Sequence, residues 1–418
     1  PLPQGPKHVV RTMNTERRTE DAARRADGRP RPRLHPDIVR LGVVSFLTDV
    51  SSEMIFAVFS VFFTTVAGAS SALLGLIEGL ADLSASSLNY LAGWLSDRSG
   101  RRKWFAVAGY VFSTLAKSVL LVATSVAALA AFRVVERLGK GFRGPPRDAW
   151  LSSMAPEGSR GYAFGVHKAL DKSGAVVGPL IAYALLSGLG ESPATYAILF
   201  AVAFVPAVVS VILLATIPDR PGARHDAESA RHGWLRLTPA FKRFLVPAGV
   251  FALAYFSLGF ILLKAHKMGF SIAQVVLLYA LFNATCVLVA PTMGRLGDRI
   301  GRSHVVLLGY ALYACINLWL IAAGSRPEMV AIFALYGLFY AIEESQSKAF
   351  IADLEPERRA TAIGAYNFVT GVAYLPASLI AGALWSIAPA WAFAAAAGLS
   401  ILAIAIFLAL RSSEALGP

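Results

Sequence analysis

The residues of this chain best equipped for chemistry are ionisable groups set inside long apolar stretches. Asp49 and Glu53, in SFLTDVSSEMIF, stand four apart and share one helical face. Arg133, Glu136, Arg137, Lys140, Arg143 and Arg147 recur at three-to-four spacing, while Val134, Leu138 and Phe142 fall on another face. His167, Asp171 and Lys172 follow. Farther along come Lys264 and His266, then Asn283, then Glu343, Glu344 and Lys348. Charged groups among apolar residues are costly unless they pair with one another or face a water-filled space. A carboxylate in such a space takes up a proton readily, and a neighbouring guanidinium opposes that uptake. Asp49 or Glu53 could therefore carry a proton, with Arg133 or Arg137 competing for the same charge.

Reaction chemistry of other kinds finds no support. The chain has no G-x-S-x-G nucleophile turn, no H-E-x-x-H metal motif and no G-x-x-x-x-G-K-[ST] phosphate loop. It is read as a non-enzyme without a cofactor, and lacking a nucleotide loop it must draw energy from ion gradients. The two cysteines, Cys286 and Cys315, are too few for a disulfide framework or a zinc site and are expected as small buried residues. An alternative takes Asp49, Glu53, His167 and Asp171 as ligands for a divalent metal, because H-x-x-x-D places both side chains on one helical face. Lys168, Lys172 and the nearby arginines weigh against a cation there.

The elements that position these groups follow from composition. Hydrophobic residues make up 56% of the 418 and charged residues only 16%, too apolar for a soluble chain of this length. A helix needs about 20 mostly apolar residues to cross a bilayer. Twelve stretches of that kind lie near 39–67, 71–96, 103–124, 126–153, 160–188, 194–217, 240–266, 271–296, 304–323, 328–353, 359–387 and 389–410. Lipid offers no partner to unpaired backbone groups, so each must be helical. The fold class is all-α: a polytopic membrane protein of twelve transmembrane helices.

Lys and Arg gather at alternate ends of these stretches. They crowd the basic tail at Arg11, Arg17, Arg18, Arg24, Arg25, Arg29, Arg31 and Arg33, the loop with Arg98, Arg101, Arg102 and Lys103, and the gap with Arg220, Arg224, Arg231 and Arg236; the same side receives Arg299, Arg302, Arg358 and Arg359. The opposite loops, such as GLGESPAT, carry none. The positive-inside rule then places both termini in the cytoplasm, of an inner membrane. The same bias explains the net charge of +13 without nucleic acid. Residues 1–36 lack the apolar core of a cleavable signal and read as a disordered cytoplasmic tail.

The chain also repeats itself. GWLSDRSGRRKW at 93–104 returns as GRLGDRIGRSHV at 294–305, and MAPEGSRGYAFG at 154–165 parallels LEPERRATAIG at 354–364. The offset stays near 200 residues. The expected organisation is a six-helix bundle at 37–217, a cytoplasmic linker at 218–238, a second six-helix bundle at 239–411 and a tail at 412–418. Internal repeats of this kind build many secondary transporters, with the solute bound between the repeats.

The first repeated loop, Gly93, Asp97, Arg98, Gly100, Arg101 and Arg102, resembles the signature loop of the major facilitator superfamily, and Gly294, Asp298, Arg299, Gly301 and Arg302 fall where that family repeats it. Arg133, Gly139 and Gly141 match a further family pattern, with Arg137 standing where that pattern has Gly. Gly165, Gly174, Gly178 and Pro179 resemble the family's antiporter motif, although Ile181 and Ala182 replace the paired glycines often seen after it, and the second half keeps only Gly364, Gly371 and Pro376. The resemblance implies two pseudo-symmetric six-helix bundles around a central cavity lined by helices 1, 4, 7 and 10. It implies a cytoplasmic latch at Asp97, and proton-coupled efflux of a small anionic or zwitterionic solute, or a drug-like compound, by a monomer. Substrate and proton would pass Asp49, Glu53, Arg133, Glu136, Arg137, Lys140, His167, Asp171, Asn283, Glu343, Glu344 and Lys348. Glu78, Asp82 and Lys117 are read as structural or gating. Proton symport for uptake and metal export are the alternatives.

Overall fold

Several helices begin where the sequence supplies a capping side chain, and some end at a glycine with positive φ. Ser70, Ser192 and Thr238 accept from the backbone N–H three residues on, and Ser271 with Gln274 forms a reciprocal capping box. Gly100 and Gly301 close the two repeated turns with φ of 68° and 91°, a region open to Gly at no steric cost. The computed structural model describes residues 35–122, 125–154, 160–219, 237–355 and 359–412. The arginines of the basic tail, Arg220, Arg224, Arg231, Arg236 and Arg358 lie outside the described residues, as do the side chains of Asp97, Asp298, Lys348 and Arg359.

The described residues are helical, with no strand among them. In chain order the helices are α1 (Pro36–Val61, continued by a π-turn at Phe62–Val66), α2 (Ser71–Ser99), α3 (Arg102–Val122), α4 (Val126–Met154), α5 (Arg160–Leu189) and α6 (Pro193–Thr216). Then follow α7 (Pro239–Ala254), α8 (Gly259–Lys267), α9 (Ile272–Ile300), α10 (Arg302–Ala322) and α11 (Arg326–Ile342). A π-turn at Glu343–Ser347 leads into α12 (Lys348–Leu354), before α13 (Arg359–Ile387) and α14 (Pro389–Ser412). Among the described residues, ten helical segments are long and apolar enough to cross a membrane. The two long stretches outside that set are Val126–Met154 and Arg326–Leu354, and these carry the densest internal charge.

One expected helix is broken. The stretch expected at 240–266 divides into α7 and α8, with Tyr255, Phe256, Ser257 and Leu258 between them. Backbone groups freed by the break find partners: Tyr313 Oη donates to the Ala254 carbonyl at 3.1 Å, and Gly259 N donates to Ser257 Oγ at 3.2 Å. The π-turn at Glu343–Ser347 is a further irregularity, and like the α7–α8 break it falls beside charged side chains.

Helices α1, α5 and α6 pack together, as do α3 with α4, α2 with α4, and α10 with α14. Contacts between the first six helices and the rest run mainly through α2 against α13 and α5 against α9. Large apolar side chains such as Trp104, Leu115, Ile212, Leu288 and Ile401 point outward, as a lipid-facing surface requires. Cys286 is buried as expected, whereas Cys315 is exposed on that outer surface, where a small apolar side chain is equally at ease.

The glycines of α5 separate into two kinds. Gly174 and Gly178 lie against the backbone of α1 at Phe46 and Val50, and a methyl at Gly178 would come 2.5 Å from the Val50 carbonyl oxygen. Gly165 faces open space. Gly178→Ala is therefore expected to lower stability by about 1–3 kcal/mol through overpacking, while Gly165→Ala leaves it nearly unchanged. Thermal unfolding of the two variants in detergent checks this, and equal melting temperatures would contradict the α1–α5 packing.

Candidate functional site

A cavity of about 580 Å³ lies between the helices, lined from one side by α1, α2, α4 and α5 and from the other by the α7–α8 break, α9, α11 with its π-turn, and α13. Most of the groups singled out from the sequence reach it: Asp49, Glu53, Arg133, Glu136, Arg137, Lys140, Asp171, Asn283, Glu343 and Glu344. His167 does not. It is buried behind the wall, with Nε2 3.0 Å from Ser45 Oγ. That separation also undoes the metal alternative, because Asp49, Glu53, His167 and Asp171 do not converge, and no group of three metal-binding side chains exists among the described residues. Lys264 and His266 lie on α8 outside the cavity wall, His266 Nδ1 being held 2.9 Å from the Phe270 carbonyl.

The deepest charges are the most tightly paired. Arg133 on α4 donates from Nε to Glu78 Oε1 at 2.6 Å and from Nη2 to Glu78 Oε2 at 2.8 Å, and both side chains are buried. This is the two-pronged geometry that a planar guanidinium makes with a carboxylate. The guanidinium also lies over Phe56, 4.5 Å from the ring centre, and Glu136 approaches Arg133 at 3.8 Å. Ser257, released from helical geometry by the break, gives its hydroxyl to Glu78 at 3.0 Å. Next along α4, Arg137 meets Asp82 at 3.1 Å. Arg133 and Arg137, expected on the substrate and proton path, are thus already paired with the two α2 carboxylates read as structural or gating. The expectation treated each helix alone, and spacing along α4 carries no information about which acids α2 places opposite.

Toward the end bearing the Gly100 and Gly301 turns, the pairing loosens. Arg147 contacts Asp148 at 2.9 Å and Asp171 at 3.8 Å. Lys168 and Lys172 on α5 reach Glu344 at 3.0 and 3.1 Å, spanning the cavity mouth, and Lys168 is half exposed. Glu53 crosses the cavity as well, accepting from the Tyr279 hydroxyl. Glu343 accepts from Tyr366 Oη at 2.6 Å and Ser347 Oγ at 2.9 Å. Asp49 and Lys140 line the wall without an ion partner among the described residues.

The opposite end is shut. Ser71 Oγ and Ser386 Oγ are 3.0 Å apart, Ala273 N donates to Glu191 at 3.1 Å, and Gly75 on α2 meets the α13 backbone at Ser378 and Gly382.

Sequence reasoning missed the second wall. Tyr255, Tyr279, Tyr336, Tyr340, Tyr366 and Tyr374 all line the cavity, with Asn367 and Thr370 among them. Tyr255 and Tyr374 lie 5.5 Å apart by ring centres, and Lys172 sits 5.3 Å over Tyr340. The signal was present as four-residue spacing, in Tyr336 with Tyr340 and in Tyr366, Thr370 and Tyr374. Tyrosine in an apolar helix, however, serves packing and lipid interfaces equally well.

The repeated loops are alike in detail. Arg102 Nη1 donates to the Ala149 carbonyl at 3.4 Å and Arg302 Nη1 to the Ala349 carbonyl at 2.9 Å. Each contact joins the start of one helix to the end of another across the same sequence distance. Arg302 also meets Asp353 at 2.8 Å. Gly93 packs against Pro145, while Gly294 faces open space; Arg98, Arg101 and Arg299 are exposed.

Comparison with known proteins agrees with this geometry. The family description "Major Facilitator Superfamily" matches residues 41–266 and again 249–417. The chain belongs to the major facilitator superfamily. An uncharacterized transporter of this superfamily from Methanocaldococcus jannaschii is 34% identical over 376 residues, 88% of this chain and 93% of that protein. Among solved structures, the nucleoside transporter NupG superposes with a TM-score of 0.75 at 13% identity, covering 89% of this chain and 99% of that one. A bacterial homologue of the lysosomal transporter Spinster, inward-facing and unoccupied, gives 0.71 at 16% identity over 90% and 96%. This member of the superfamily is an integral membrane transporter with the fold of those structures.

Removing one partner of a buried ion pair strands the other at a cost of about 3–5 kcal/mol. Arg133→Ala is accordingly expected to lose stability on that scale, and Arg133→Met with Glu78→Met to recover most of it. Melting temperatures in detergent test the pair; a double variant no more stable than the single one would show that the two side chains do not act together.

Proposed function

We propose that this transporter exports a small zwitterionic solute in exchange for protons, by alternating access between two six-helix units at 37–217 and 239–411 joined by the linker 218–238. The observation that carries the reading is the pattern of pairing in the cavity. Arg133, Arg137, Arg147, Lys168 and Lys172 each have a carboxylate within 4.0 Å, while among the described residues Asp49 and Glu53 on α1 and Lys140 and Arg143 on α4 line the same cavity without an ion pair, Glu53 accepting from Tyr279 and Arg143 donating to Ser113. Acids and cations left over side by side suit a solute carrying both charges, and favour it over a plain anion. The tyrosine wall opposite suits its uncharged or planar body, through ring faces and phenol hydroxyls.

Asp49 serves as the proton-responsive group, with Glu53 beside it on α1 held by Tyr279. The solute enters from the end carrying the repeated basic loops, taken as cytoplasmic in the inner membrane, where both termini also lie. Closure of the far end by α2 against α13 supports an inward-facing state, and the similar Spinster homologue was solved in that state. Export rather than uptake is favoured by Gly174 and Gly178, which seal α5 onto α1. The Asp97 loop acts as a latch that governs cycling, and the transporter works as a monomer.

Three outcomes are expected. Everted vesicles containing the protein should accumulate solute from a mixed zwitterion library when their lumen is acidified; accumulation driven the opposite way would indicate symport for uptake. Asp49→Asn, a mimic of the protonated acid, should keep counterflow exchange but lose proton-driven accumulation, and full accumulation by that variant would remove Asp49 from coupling. Asp97→Asn should leave solute affinity within about twofold while slowing turnover at least tenfold, a loss confined to the cycle; an affinity that falls in step with rate would refute the latch.

A further inference from the structure

Lys117 is the one cation of the first six helices that lies wholly behind the cavity wall and is held by hydroxyls alone among the described residues. It sits on α3, 1% exposed, and does not line the cavity. Its Nζ donates to Ser51 Oγ at 2.7 Å and to Ser52 Oγ at 2.9 Å, and Ser52 Oγ in turn donates to Glu136 Oε1 at 3.2 Å. Ser52 and Glu136 both line the cavity. An amine out of contact with the cavity is thus joined to it by one hydroxyl and one carboxylate.

We propose that Lys117 is a proton carrier, loaded and unloaded through Ser52 and Glu136. This deepens the proton-coupled reading above and rests on it. In the unloading step an N–H bond of the Lys117 ammonium breaks as Ser52 Oγ gains that proton. Ser52 passes its own hydroxyl proton to Glu136 Oε1, leaving a neutral amine and a neutral carboxylic acid. Glu136 then releases its proton to cavity water, and the reverse sequence reloads the amine. A guanidinium could not serve, since it stays protonated in proteins, whereas a buried lysine is able to lose its charge.

The surrounding charges fit an amine whose state matters. Asp49 and Glu53 on α1, and Glu136 and Arg143 on α4, act on Lys117 through space, and Arg143 is itself held by Ser113 Oγ at 2.5 Å. Helix α6, packed on another side of α3, has Tyr196 as its only titratable residue, its ring tilted against Phe62 with centres 4.6 Å apart toward the shut end. The neutral amine leaves Glu136 and the α1 carboxylates less compensated than the ammonium does. Loss of the proton therefore changes the charge balance of the same wall that carries Asp49.

The test needs no solute. Spin labels on Thr216→Cys and Ile300→Cys, with Cys286→Ser and Cys315→Ser, report the spacing of α6 and α9 at the basic end in full-length protein reconstituted in nanodiscs. Distance distributions are measured in mildly acidic and mildly alkaline buffer. The expected result is a pH-dependent shift in the otherwise unaltered protein that disappears in both Lys117→Met, which never carries the charge, and Lys117→Arg, which never loses it. A shift retained in Lys117→Arg would overturn the proposal while leaving proton coupling intact. No shift in the protein with Lys117 present would overturn the proton-coupled reading and this proposal with it. If melting curves show that neither Lys117 variant folds, Ser52→Ala decides: a flattened pH response supports the relay, and an unchanged one overturns it.

Discussion

The physical constraint behind this architecture is the cost of holding ionised side chains among apolar helices. An unpaired charge in that setting costs several kcal/mol, so the helices must bring opposite charges together or leave them facing a water-filled space. The Arg133–Glu78 pair meets the condition at the deep end, with both side chains buried and both prongs of the guanidinium used. The arrangement relaxes along α4: Arg137 and Asp82 are partly exposed, and Lys140 needs no partner because the cavity reaches it. The ion pairs become more exposed from the deep Arg133–Glu78 pair, through Arg137–Asp82, to Lys168–Glu344 at the mouth.

Several of these polar contacts join the first six helices to the later ones. Ser257 at the α7–α8 break reaches Glu78, Tyr279 reaches Glu53, and Lys168 and Lys172 reach Glu344. Each ties a charged group on one side to a partner on the other. Any rearrangement of one set of helices against the other would have to exchange these contacts for water or for a bound solute. The irregular backbone is placed accordingly: the helix break frees Ser257 to turn toward Glu78, and the π-turn carries both Glu343 and Glu344.

The internal repeat shows what was kept and what diverged. Arg102 and Arg302 hold the carbonyls of Ala149 and Ala349 in matching positions. The cavity walls differ, with most of the charges on the first side and the tyrosines, beside Glu343 and Glu344, on the second. This helix-joining contact is alike in the two halves, whereas the surfaces turned toward the cavity have taken on separate chemistries. Such a division gives a solute two unlike faces to satisfy at once.

The sequence by itself determined the helices, their approximate bounds, the repeated turns and the list of charged groups. Apolar runs in lipid have no alternative to helix, and Lys and Arg mark the ends of those runs. It also marked Asp49, Glu53 and the α4 stripe as lining candidates, because charges rarely occur inside such runs without a use. Only the tertiary structure decided which charges remain open. Spacing along α4 puts Arg133, Arg137 and Lys140 on one face, but Glu78 and Asp82 come from α2 and close over the first two. His167 shares a helical face with Asp171, yet Ser45 holds it behind the wall. Lys117 gave no sign of its connection to Glu136, because that link runs through Ser52 on a third helix. One helix fixes which side chains share a face; which of them are neutralised, buried or left to meet a solute depends on what other helices bring opposite, and periodicity within a single helix cannot encode that.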